Sequence, residues 1–279
     1  MRILVISQYF YPENFRINDL CIGLKEKGHK VSVFTSKPNY PSGKFFKGYN
    51  FFNKSQDYYQ GIRIYRSPII PRGNGSGLRL FINYISFVIF GAFRLLFIND
   101  KFDKIFVYAP SPITVGYLGI IASFKFNVKS YLWVHDLWPE SVKDAGGINN
   151  KLILYLIDLM TRSIYYFYKT ILVQSPHFKR YLIEQSVNES KIVYYPYYAE
   201  NYYRIVKPKE EIKSLFGEGL KFVFAGNIGV AQSFDTIIEA AKILKAKLIN
   251  FNFIIIGDGR ERKRIEGKKL FANSGVIKK

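Results

Sequence analysis

Arg2-Ile3-Leu4-Val5-Ile6-Ser7 is an unbroken apolar run with β-branched residues, the pattern of a strand buried on both faces of a parallel sheet. A loop with Pro12 follows, and residues 18–27 then carry Leu20, Cys21 and Leu24 at helical spacing before Lys27-Gly28 closes the helix. Val31-Ser32-Val33-Phe34-Thr35 restores the strand pattern. A β-α-β unit with two apolar strands needs helices on both faces of its sheet, so this opening segment specifies an α/β fold.

The alternation continues outward. Strands are expected at 104–108, 130–134 and 170–174, each flanked by a helical stretch, which makes the first domain doubly wound. A tyrosine-rich loop around Pro196 interrupts the rhythm at 194–203, and a strand at 221–225, a helix at 234–244 and a strand at 252–256 restart it. Residues 1–204 are therefore assigned to a first domain and 205–279 to a second. Two strands fit in the second, where a doubly wound domain uses roughly five or six. Its sheet is expected to be incomplete and the protein truncated at its carboxyl end, with no strand within 271–279.

Two apolar segments stand outside this pattern. Residues 80–93 are uncharged over 14 positions between Arg79 and Arg94, short of the roughly 20 that span a bilayer. They are expected to form a helix buried on the sheet rather than a transmembrane one, with an interfacial helix as the functional alternative. Residues 151–169 read as a sheet-covering helix with a basic outer edge.

Composition bounds the function. A 279-residue chain that is 48% hydrophobic and 18% aromatic is not a disordered protein. The single cysteine, Cys21, forms no internal disulfide, and no secretory signal opens the chain, so a cytoplasmic setting is expected. Lys plus Arg outnumber Asp plus Glu by 41 to 21, a net charge of +20 that attracts phosphates, nucleic acid or anionic headgroups. The sequence has no zinc-ligand cluster, RNA-binding aromatic motif or basic-plus-heptad stretch, and nucleic acid is not an expected partner.

Three constellations carry chemistry. Gly226-Asn227-Ile228-Gly229 joins a strand to a helix through Gln232, where glycines let a phosphate approach backbone N–H groups at the positive end of a helix. Tight α/β turns also use glycine for geometry alone. Gly257-Asp258-Gly259 makes a similar turn after the next strand, followed by Arg260, Arg262, Lys263 and Arg264. His135-Asp136 ends an apolar strand, where a histidine can exchange protons near neutral pH; the alternative is a helix cap by Asp136.

In order along the sequence, Gln8-Tyr9-Phe10-Tyr11-Pro12-Glu13-Asn14-Phe15-Arg16, Lys37-Pro38-Asn39-Tyr40-Pro41-Ser42-Gly43, Val134-His135-Asp136-Leu137-Trp138-Pro139-Glu140-Ser141 and the 226–229 turn with Gln232 resemble the family-4 glycosyltransferases. Within them the likeness is to the subgroup acting on colanic-acid-type and O-antigen repeat units, including L-fucosamine transferases. The resemblance implies a GT-B architecture: two Rossmann-like domains facing across a cleft, acceptor on the first, nucleotide-sugar on the second. It also implies transfer with retention at the anomeric carbon and no metal or other cofactor, in keeping with the lack of an Asp-x-Asp motif.

By the same resemblance His135 and Asp136 are catalytic beside the transferred sugar. Gly226, Asn227, Ile228, Gly229, Gln232, Gly257, Asp258, Gly259 and Arg260 would hold the donor, and Glu13, Asn14 and Arg16 would face acceptor or donor phosphate. Asn227 and Gln232 or Ser233 stand where many relatives carry Arg and Lys, which shifts the weight to backbone contacts. The family's Glu-x7-Glu motif has no counterpart. The implied partners are a nucleotide-sugar, a lipid-linked glycan acceptor and the anionic inner face of the cytoplasmic membrane, the implied process bacterial surface polysaccharide synthesis. The competing expectation is an inactive fragment or a non-catalytic binding subunit, distinguished by the absence of turnover.

Overall fold

The computed structural model describes residues 1–200, 203–259, 261–267 and 276–277. The protein divides into two compact units, Met1–Glu200 and Asn201–Lys279.

The first unit runs β1 (Arg2–Ile6), α1 (Arg16–Glu26), β2 (Lys30–Ser36), β3 (Gln56–Tyr59), β4 (Ile62–Ser67), α2 (Gly77–Leu96), β5 (Lys104–Ala109), α3 (Val115–Phe126), β6 (Ser130–Val134), α4 (Glu140–Gly146), α5 (Lys151–Phe167), β7 (Thr170–Val173), α6 (Pro176–Glu184) and β8 (Ile192–Tyr194). Its eight strands take the order β3-β4-β2-β1-β5-β6-β7-β8 and are parallel except for β3, which pairs antiparallel with β4. The backbone leaves β1 in one direction to β2 and returns on its other side at β5, so the strand order reverses between them. Crevices at such reversals, outside the carboxyl ends of the strands, are where ligands of open α/β sheets bind.

Alternate residues of β1 serve opposite faces, as the strand pleat requires. Ile3 and Val5 pack with Ile17, Cys21, Val33 and Ile64 under α1. Leu4 and Ile6 pack with Phe34, Phe87, Leu118 and Ile164 under α2, α3 and α5. Burial of each of these side chains stabilises the fold by about 1.5–3 kcal/mol relative to exposure.

Several elements differ from the sequence reading. The β3–β4 hairpin was not expected; it closes on Gln60-Gly61, both at positive φ (47° and 74°), the backbone of the tight primed turn that matches strand twist. Its strands carry charges that mask the apolar alternation, and Arg66 is fully buried, donating to the Ser36 and Tyr11 carbonyls and to Asp57. The short β8 was also missed. The helix around residues 80–93 extends to 20 residues because Ser76 and Gly77 begin it and Arg94 lies inside its last turn. Asn83, Ser86, Phe87, Gly91 and Leu95 face the protein while Leu78, Phe81, Ile89 and Phe93 are exposed, so it is buried on one side only. Lys151, Arg162 and Lys169 are exposed along α5 and just past its end, as expected, but Leu152, Tyr155, Leu156 and Leu159 are exposed with them, because only one side of the helix, with Thr161, Ile164 and Tyr165 buried and Ile157 and Met160 packed beside them, meets the core.

The second unit contains α7 (Glu210–Leu215), β9 (Leu220–Ala225), α8 (Phe234–Ala246), β10 (Phe251–Ile256), α9 (Arg262–Glu266) and β11 (Val276–Ile277). β9 and β11 flank β10 in a parallel three-stranded sheet. β11 falls in the terminal stretch where no strand was expected; it is only two residues long, paired with Ile255 and Ile256. Ile228, Phe234, Ile238, Ile255 and Ile265 form the core of this unit.

Candidate active site

The carboxyl edge of the first sheet gathers Gln8 after β1, Ser111 after β5 and His135-Asp136 after β6. The backbone holds His135 in place: its amide donates to the Ala109 carbonyl (3.1 Å) and its carbonyl accepts from Gln174 Nε2 (3.2 Å). The imidazole lies against Trp133 and Tyr108, with ring centroids 4.2 and 4.4 Å away. Nδ1 is hydrogen-bonded to the Tyr197 hydroxyl, and the buried Nε2 has no protein partner among the described residues. Burial first, and the nearby Arg16 cation second, push its pKa down to about 3. The expectation of a proton exchanger near neutral pH is thereby corrected: this imidazole stays neutral and offers hydrogen bonds, not charge.

Asp136 is partly buried, and desolvation raises its pKa against an opposing hydrogen bond from Ser111. It does not cap α4, whose N-cap is Pro139. The carboxylate is instead hydrogen-bonded by Ser111, from the loop after β5.

In the first loop, Arg16 is already engaged. Its guanidinium donates to the Tyr198 carbonyl, pairs with Glu200 (3.4 Å) and lies 4.6 Å from the Tyr197 ring centroid. Tyr197 and Glu200 belong to the site and were missed from sequence; the cluster of tyrosines around Pro196 was their only signal. Glu13 turns inward. One carboxylate oxygen accepts the amides of Asn39 (2.8 Å) and Tyr40 (2.7 Å), and the other is buried without a partner among the described residues. Burial outweighs these amides and raises its pKa to about 7. Asn14 is exposed beside it.

In the second unit the two glycine turns are laced together. The Gly226 amide donates to Ile256 (2.9 Å), the Ile228 amide to Asp258 (2.8 Å), and the Glu261 amide to Ile228 (3.1 Å). A Cβ on Gly257 would lie 1.8 Å from the Gly226 oxygen, and one on Gly259 would lie 2.1 Å from the Ile228 oxygen. Backbone-to-backbone packing alone therefore requires these two glycines. Gln232 Oε1 accepts the Gly229 amide (3.1 Å), so this glutamine secures its own turn. A 3-10 turn at Val230–Gln232 and Ser233 in the left-handed region separate the loop from α8. Asn227 and Asp258 are exposed; Asp258 accepts the Gly259 amide and lies 3.6 Å from Arg262. Arg264 pairs with Asp235 and Glu261. Arg260 lies outside the described residues.

A doubly wound parallel sheet with its polar groups at the carboxyl edge, joined to a second, smaller Rossmann-like unit, is the fold of the GT-B glycosyltransferases. Sucrose-phosphate synthase from Thermosynechococcus elongatus superimposes with a TM-score of 0.68 at 17% identity, over 95% of this chain and 66% of that one. A structure from E. coli described as trehalose-6-phosphate bound with UDP-2-fluoro glucose gives 0.64 at 11% identity, over 99% and 71%. The sequence profile of Glycosyltransferase Family 4 matches residues 15–196, and the protein belongs to that family. A curated relative, described as the colanic acid biosynthesis glycosyl transferase WcaI of Escherichia coli (strain K12), is 22% identical over 95% of this chain and 68% of its own length. The protein thus spans about two thirds of these relatives.

Proposed function

We propose that this protein takes part in retaining transfer of a sugar from a nucleotide-sugar to a lipid-linked or glycan acceptor, in synthesis of a bacterial surface polysaccharide such as colanic acid, O-antigen or capsule. The observation that carries the reading is the His135-Asp136 pair, desolvated at the carboxyl end of β6 inside the segment matched by the family. The colanic acid description of WcaI and the UDP-2-fluoro glucose in the E. coli structure support the process and the donor class.

In such a transfer the bond from the anomeric carbon to the diphosphate breaks, a bond to the acceptor oxygen forms, and the proton of the acceptor hydroxyl passes to the departing diphosphate. Stabilising charge on the departing diphosphate is the hard step, and fixed N–H groups or cations are suited to it without metal. Neutral His135 would hydrogen-bond the sugar, and Asp136 would hold a hydroxyl or balance positive charge on the ring. The exposed Asn227 would meet the donor, because the Gly226, Ile228 and Gly229 amides are already bonded within the turns and the backbone contacts expected from sequence are spent there.

The same reading places the protein on the cytoplasmic face of an anionic membrane. Exposed apolar residues of α2 and α5, on one side of the sheet, and the net charge of +20 support this. Co-sedimentation with anionic vesicles should weaken as salt rises, since exposed charges are screened within about 10 Å at 0.1 M; equal binding to neutral vesicles would remove the electrostatic part.

The test of chemistry is His135→Ala and Asp136→Ala. Each should lower donor turnover, hydrolysis to water included, by at least ~100-fold while leaving the melting transition in place. Unchanged turnover in both would end the assignment. Donor binding without turnover by the unsubstituted protein would favour the binding-subunit reading instead.

A further inference from the structure

Residues 68–80, the connection after β4 and the first turn of α2, contain Arg72 and Arg79 and no acidic residue. Among the described residues, ion pairs of the first unit engage Arg2, Arg16, Arg63, Arg66 and Arg162 but neither Arg72 nor Arg79. Arg72 is half-buried and held: its amide donates to Asn39 Oδ1 (3.2 Å) and its guanidinium lies 4.9 Å from the Tyr40 ring centroid. That ring is fixed in turn, because Glu13 takes the Tyr40 amide and Tyr40 packs on Tyr9 and Phe15, themselves stacked at 4.7 Å. A depression of about 480 Å³, lined by Pro71, Gly73, Asn74, Ser76 and Arg79, opens on the same segment.

This segment is connected to the candidate active site. Tyr84, on α2, hydrogen-bonds both Tyr9 and Ser111 and feels the charges of Arg72 and Asp136 together, and Ser111 is also the partner of Asp136. The Asp136 carboxylate, Ser111, Tyr84 and the Arg72 guanidinium are thus electrostatic neighbours. A partly desolvated guanidinium fixed by a ring and lacking a carboxylate has its planar fork of donors available for an oxyacid, which it binds in bidentate fashion.

We propose that Arg72, with Arg79 at the rim, is the receptor for an anionic group, phosphate or carboxylate, carried by the sugar acceptor, so that the acceptor is an acidic saccharide and Arg72 sets the specificity for it. This rests on the transferase reading above. The acceptor hydroxyl lies toward Asp136 and the charged group toward Arg72.

The test uses the 279-residue protein, three soluble probes and amide chemical-shift titration, which needs no turnover. Glucose 1-phosphate and methyl glucuronide should each bind at least tenfold more tightly than methyl glucoside, and the tighter of the two identifies phosphate or carboxylate as the natural group. Arg72→Met should abolish the preference and leave methyl glucoside unaffected, while Arg72→Lys should retain part of it. Arg63→Met, on a different part of the surface, removes the same charge and should change nothing. Absence of any preference, an unaffected Arg72→Met, or an equal loss in Arg63→Met would overturn the proposal. Melting curves show that each variant is folded. Donor hydrolysis by the unsubstituted protein is read separately, so a transferase with no acidic-acceptor site is distinguished from a protein that is no transferase.

Discussion

Both units set their candidate residues just past the carboxyl ends of parallel strands, but under opposite solvation. In the first unit six consecutive residues of β2 are buried, and the edge residues Glu13 and His135 are desolvated enough to shift their proton affinities in opposite directions. In the second, five of the six residues of β9 are exposed, as are Asn227 and Asp258, and the two turns are tied to each other by backbone hydrogen bonds. The lesson is that one local pattern, apolar strand then polar turn then helix, yields side-chain chemistry where neighbouring layers exclude water and backbone geometry where they do not.

The contrast can be broken most forcibly at Arg66. Both tryptophans, Trp133 and Trp138, lie in the first unit, so their fluorescence reports its unfolding alone. Arg66→Met leaves two carbonyls without their donor and Asp57 with only the Tyr49 hydroxyl and the Tyr58 amide, and should cost about 3 kcal/mol, the low end for breaking a buried pair because Asp57 keeps those bonds and 26% of its exposure. The tryptophan transition should move to lower denaturant; an unmoved midpoint would mean that water replaces the guanidinium.

Gly257→Ala probes the other unit. The added methyl meets a carbonyl oxygen rather than a movable side group, and a cost of about 1–3 kcal/mol is expected. Hydrogen exchange of β9 and β10 amides should quicken while the tryptophan transition stays fixed. A shift of both would show that the units unfold together.

The smallest effect lies in pH. His135 has its pKa lowered from 6.5 to about 3, so the unfolded state binds the proton first and stability from this group, complete above 6.5, is lost as pH falls toward 3. Glu13 has its pKa raised from 4.5 to about 7, so its contribution is complete below 4.5 and lost as pH rises through 7. Between 4.5 and 6.5 the two slopes oppose each other, each at most about 1.4 kcal/mol per pH unit. His135→Gln should therefore make first-unit stability fall with rising pH in that window, and Glu13→Gln should make it rise. Identical slopes in both variants would mean that neither group is as desolvated as its surroundings imply.

Strands buried on both faces were the most legible part of the sequence. β1, β2, β5 and β6 are apolar runs of the kind that a covered parallel sheet accommodates. The β3–β4 hairpin was hidden because Arg63 and Arg66 interrupt its apolar alternation, and the latter is buried only through Asp57 on the partner strand and carbonyls from two distant segments. His135 and Asp136 could be picked out by their place after a strand, but not the neutrality of the imidazole, which depends on Trp133, Tyr108 and Arg16 closing around it. Tyr197 and Glu200 lie more than sixty positions away in sequence from the histidine, and only the folded sheet brings them to it. The glycine turns were visible as motifs, yet which glycines serve packing and which face outward required the lacing of two turns.

Cys21 sits at zero exposure between α1 and the sheet, and burial raises its pKa, so both access and ionisation are denied to the protein's single thiol while α1 is docked. The molecule therefore carries a built-in clock. The rate at which an alkylating reagent consumes this sulfur measures how often the first helix lifts from the sheet, without any label being engineered, and a ligand that tightens the neighbouring loop through Arg16 would be seen as a slowing of that clock.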